Sequence, residues 1–117
     1  MDEDSILLSV KKLIGIDEAD YSFDTDLILC INSVFVTVQQ IGVGDDTNHY
    51  ITGEKETWSD LPIDKNAIAM LKTYVAHKVQ QMFDPPSGAA KDALERVISE
   101  EEYRLNMAYD ILFGRNQ

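Results

Sequence analysis

The chain has 117 residues, 44% of them apolar and 26% charged, with a formal charge of −11. That is enough for one domain with a modest core. Thirteen Asp/Glu against three Lys fall up to Asp60, and eight acids against seven bases from Leu61 onward. Such a surface lacks the cationic contacts that dominate nucleic-acid affinity, which argues against direct DNA binding. No apolar run reaches the roughly 18 residues of a bilayer span. The opening MDEDSILL is acidic where a secretory signal is basic. Cys30 is the single cysteine, so it cannot form an internal disulfide, and its apolar surroundings mark it as a small core residue. These features point to a cytoplasm, or to a particle assembled there.

The periodicity predicts four helices. The first covers about 4–14, with Ile6, Leu7, Val10, Leu13 and Ile14 in one stripe. Lys11 and Lys12 fall near its C-terminus, where the helix dipole favours cations, and Gly15 stops it. A linker follows in which Tyr21 and Phe23 are placed to pack back. The second helix, about 24–41, is expected to take Asp24 as its cap and Gly42 as its stop. Leu27, Ile28, Ile31, Val34, Phe35, Val38 and Ile41 recur at helical spacing, while Leu29, Cys30 and Val36 lie outside that stripe. A helix apolar on more than one face is either central or shared with a neighbouring subunit.

The stretch from Gly42 to Pro62 is long for a simple connection. Residues 49–58 have the pattern of a short hairpin around Gly53-Glu54-Lys55. A lone hairpin is marginal and would need support from the helices or from another copy. Asp64 is the expected cap of a third helix, about 64–83, with a stripe of Ile68, Leu71, Val75, Val79 and Met82. Asp84-Pro85-Pro86 must end it. Ser87 then precedes a fourth helix, about 88–113, with Leu94, Val97, Leu105, Ala108 and Leu112 on one face and Ile98 beside them. Glu101 falls on that same face. It either edges the core or meets a partner's base. Asp92 with Arg96 and Glu100 with Arg104 stand in the favourable i,i+4 order. The fold class is therefore mainly α: one small four-helix domain over residues 1–117, with a long loop between helices two and three that has room for a hairpin.

Chemistry is thinly signalled. There is no HExxH, CxxC or GxSxG, and the one GxG, Gly42-Val43-Gly44, follows a helix instead of a strand. Asp24 and Asp26 begin like a calcium loop, but Ile28 occupies the next ligand place. Glu100, Glu101 and Glu102 are adjacent and point in three directions on a helix. His77 reads as a partly buried, hydrogen-bonded histidine, and His49 as a loop residue. No residue stands out as catalytic, cofactor-binding or metal-ligating, and no cofactor is implied. Trp58 reads first as a core plug holding the loop to the helices, and second as an interface anchor. Tyr50 and Ile51 share that ambiguity, and the three are candidate subunit-interface residues.

The order of parts — ILLSVKKLIGI, DTDLILCINSVF, the TWSD turn at Thr57–Asp60, LKTYVAHKVQQMFDPP and EEYRLNMA — resembles the head–tail connector (adaptor) proteins of tailed phages. The resemblance runs from about Asp4 to about Ala108. It implies a non-enzymatic, all-helical virion protein. Its copies would form a ring, twelve-fold in the usual case, at the head–tail junction. The ring would dock under the portal protein and extend the DNA channel. It would also offer a surface to the next head-completion, stopper or tail-joining protein. Packaged DNA would pass through without specific binding, and no membrane is involved. Assembly would take place in the host cytoplasm. In this family the C-terminal segment commonly docks on the portal, which here maps to Ile111, Leu112, Phe113 and Arg115. A second reading of the acidity is a DNA mimic that inhibits a basic host protein. A mimic needs negative charge in spaced rows, whereas here much of it falls in caps and loops. A small helical enzyme is a third reading, and nothing in the spacing supplies its pocket.

Overall fold

In the computed structural model the described residues are 4–41 and 49–113, with side chains described as far as Ala108. Four α-helices organise them: α1 (Ile6–Leu13), α2 (Asp24–Gln40), α3 (Lys65–Phe83) and α4 (Gly88–Phe113), with a 3-10 turn at Trp58–Asp60. Gly42 and the residues to Asn48 lie outside the described residues, and with them the expected stop of α2.

Local chemistry explains most of the helix ends. Ser5 caps α1 by accepting a hydrogen bond from the Leu8 amide. After α1 the chain turns through Gly15 at φ 87°, a left-handed conformation that favours glycine. Asp64 caps α3 as the sequence predicts, accepting from the Asn66 amide. Asp24 departs from expectation. It is the first residue of α2 rather than its cap, which is Phe23, and no side chain caps that end. The Asp24 carboxylate instead faces the ammonium of Lys11. At the other end of α2, Asn106 of α4 donates to the Ile41 carbonyl at 2.6 Å, one of the acceptors a helix terminus leaves open.

The centre of the molecule is α3, not α2, since α3 packs against each of the other three helices. Its buried face is Ala67, Leu71, Tyr74, Val75, Ala76 and Val79. It is met by Ile6, Leu7 and Val10 of α1, by Leu27, Ile31, Val34, Phe35 and Val38 of α2, and by Ile98 and Leu105 of α4 in one hydrophobic cluster. Met82 and Val97, placed on core stripes by periodicity, are exposed, and Tyr74 and Ile98 hold the inner positions. Part of the apolar surface of α2 lies outside the core: Leu29 and Val36 are exposed.

The expected hairpin at 49–58 is not formed. Instead, Thr57 bridges to Ser5 in antiparallel fashion, and the Ile6 amide donates to the Glu56 carbonyl at 3.0 Å. The backbone groups of this segment bond to the start of α1 and to side chains, so no partner strand is needed. Trp58 plugs the core beneath it, edge-on to Phe35, with its Nε1–H donating to Ser9 Oγ at 2.8 Å.

Candidate functional site

Polar side chains below the surface are largely paired with one another. Lys11, which has no exposed side-chain surface, donates from Nζ to the carbonyls of Glu18 (3.1 Å) and Asp20 (2.8 Å) and to Asp24 Oδ1 (2.8 Å). The Tyr21 ring lies 5.2 Å from the same ammonium. Lys11 is therefore an internal clamp on the α1–α2 linker, while lying in the last turn of α1 as the sequence predicts. Between α3 and α4, Tyr74 donates to Glu102 at 2.7 Å, and His77 Nδ1 lies 2.9 Å from Glu101 Oε2. Burial pushes the Tyr74 hydroxyl above its ordinary pKa, and the hydrogen bond to Glu102 and the charges of Glu102 and Glu101 push the same way. Glu101 thus finds its base within its own chain.

The loop is held with similar completeness. Asn32 brackets Ile51, donating to its carbonyl at 3.0 Å and accepting from its amide at 2.7 Å. Glu56 accepts from the Thr52 hydroxyl and from the Thr52 and Gly53 amides. Burial pushes the Glu56 carboxyl up, but those hydrogen bonds outweigh it and hold the group below its ordinary pKa. The Thr57 amide donates to Asp60 across the TWSD turn.

These pairs do not converge on a chemical pocket. Among the described residues no three His, Cys, Asp or Glu side chains are grouped to hold a metal ion. A cavity of about 20 Å³ lined by Phe35, Val38, Leu61 and Leu71, among others, has room for about one water. The wider clefts among the described residues, beside Trp58, between α3 and α4, at the α1–α2 linker and along α4, are open to solvent.

Of the three candidate interface residues, Ile51 and Trp58 are buried in their own chain, 2% and 1% exposed, and Tyr50 is 67% exposed. Ile111, Leu112 and Phe113 belong to the last turn of α4. Their side chains, and Arg115 altogether, lie outside the described residues. Other exposed apolar groups came out of the structure. Leu29 and Val36 stand on the outer side of α2, and Val97, Tyr103 and Met107 on the outer side of α4. Tyr21 and Phe23 lie at the α1–α2 linker, where the Phe23 ring meets Phe83 edge-on at 5.3 Å. The α2 pair had a signal in the sequence, since both residues fall off the main stripe. Tyr103 had none, because a single aromatic among charges does not reveal its orientation.

The fold is a small helical domain whose buried polar side chains are bonded within the chain and which carries exposed apolar side chains on α2 and α4. The chain belongs to the phage connector protein family, whose model matches residues 6–111. Its role is accordingly that of a structural connector of the phage particle. No curated protein and no solved structure matches the chain. None of the described helices is long and apolar enough to cross a membrane.

Proposed function

We propose that copies of this chain form a ring at the head–tail junction, dock beneath the portal protein and extend the DNA channel. The ring gives the stopper or tail its attachment surface. The carrying observation is the family match across 6–111. The apolar side chains on outer faces of both α2 and α4 support it, because ring contacts between identical subunits are heterologous and need two different faces. In this reading Tyr50 is the loop's point of contact, and Ile51 and Trp58 brace it from beneath. The end of α4, Ile111, Leu112 and Phe113, with Arg115 beyond it in the sequence, reaches the portal. The net charge of −11 lets packaged DNA slide past without adhering.

A DNA mimic fits less well. Asp24, Glu56, Asp60, Asp64, Glu101 and Glu102 are engaged in bonds within the chain instead of standing in outward rows. The portal assignment is tested by a chain truncated after Asp110. It should keep the helical circular dichroism of the full chain and fail to co-sediment with portal rings. Undiminished binding would contradict the assignment.

A further inference from the structure

We infer that in this ring the outer ridge of α2 seats in the groove between α3 and α4 of the next copy. The inference rests on the ring reading above and adds the two faces that meet. The ridge is Asp26, Leu29, Ser33 and Val36, spaced three, four and three residues apart, which is the spacing of one helix face. All four side chains are exposed, with Leu29 at 65% and Val36 at 48%. The groove, about 300 Å³, is lined by Ala69, Met70, Thr73, Glu101 and Arg104. Ala69 and Thr73 are small, so a Leu29 side chain can enter between the helices as a ridge enters a groove. Ser33, equally small, lets the ridge approach closely between its two apolar residues.

Charge selects this pairing over others. Glu101, the acid in the groove, is engaged by His77. Arg104 makes a 3.5 Å contact with Glu100, and both side chains are more than 60% exposed, so its guanidinium is open to a further carboxylate. Asp26 at the head of the ridge supplies one. The wider surface agrees. The part of the chain up to Asp60 holds thirteen acids and three lysines, one of which, Lys11, is buried, whereas the part from Leu61 holds eight acids and seven bases. Ridge against ridge would oppose like charges. Ridge against groove brings the acidic half of one copy to the near-neutral half of the next, and such a head-to-tail contact forms a ring where the rotation between copies closes.

The test uses phage carrying Leu29→Cys and Thr73→Cys together in a Cys30→Ser background, with each single substitution as control. Both substituted sites are exposed, so folding is spared. After mild oxidation of purified particles, a non-reducing gel should show a ladder of multimers of this chain in the double variant only. Rings visible at the junction without a ladder would overturn the pairing and leave the ring intact. A cross-link from the Leu29→Cys site to a different virion protein, identified by mass, would overturn it in favour of that partner. The absence of any ring would remove both readings. Independently, Asp26→Arg and Arg104→Asp should each lower infectious titre about tenfold or more, the scale of a lost interface anchor. The two combined should recover most of that loss, and a double variant no better than either single one would contradict the pairing.

Discussion

Lys11 illustrates how far one residue can depart from what its surroundings in the sequence imply. A lysine in the last turn of a short helix normally lies on the surface, and nothing local marks this one as buried. Its burial is set by the linker, which folds two carbonyls and the Asp24 carboxylate around the ammonium. Removing the charge should therefore leave three acceptors short of a donor. Lys11→Met is expected to lower stability by roughly 2–4 kcal/mol in urea unfolding. Asp24→Asn should cost less, because the carbonyls still hold the ammonium. Equal stability of Lys11→Met and the parent chain would refute the clamp. Tyr74 gives a prediction in pH. Its folded pKa is raised by burial and by Glu102, so its contribution is intact below its unfolded pKa of about 10 and declines as pH rises beyond it. Tyr74→Phe should cost about 1–2 kcal/mol at neutral pH and flatten that alkaline decline. An unchanged alkaline limb would contradict the assignment. By contrast, the His77–Glu101 pair was half legible, since the sequence marks His77 as partly buried and hydrogen-bonded and leaves Glu101 either at the core edge or against a partner's base, without showing that the two meet.

At the scale of elements, the four helices were readable because apolar periodicity recurs along each of them, with Asp64 capping α3 as the sequence predicts. Observed bounds differ from the predicted ones by only a residue or two at the ends. Which helix is central was not readable, because α2 is the more apolar and α3 owes its position to contacts on every side. The loop was misread as a hairpin for a related reason. Alternation predicts extended backbone but not its partner, and here the partners are Ser5, Ile6 and Asn32. Asn32 presents a donor and an acceptor to Ile51 as a neighbouring strand would. Asn32→Ala should lower stability by about 2 kcal/mol and speed hydrogen exchange at the Ile51 amide. Protection as strong as in the parent would show that the bracket is dispensable. Glu56 holds the turn in the same segment, with a folded pKa below its ordinary value. Its contribution is present above the unfolded carboxylate range and is lost as pH falls through the folded pKa. In Glu56→Gln the loop's acid-induced loosening, followed by exchange at Thr52 and Gly53, should be gone, and a parent-like acid response would place its cause elsewhere.

For the whole molecule, the order of motifs conveyed more than any single one did, and the family match over 6–111 agrees with it. The outward apolar residues of α2 could be seen in the pattern as residues off the stripe, while the groove that receives them in our proposal needed the packing of α3 on α4. The central claim is that this chain joins heads to tails, and its most direct test is electron microscopy of lysates from phage lacking the gene. The account predicts DNA-packaged or leaking heads separated from complete free tails, with complementation by the intact chain. Intact, infectious virions in the absence of the protein would contradict it.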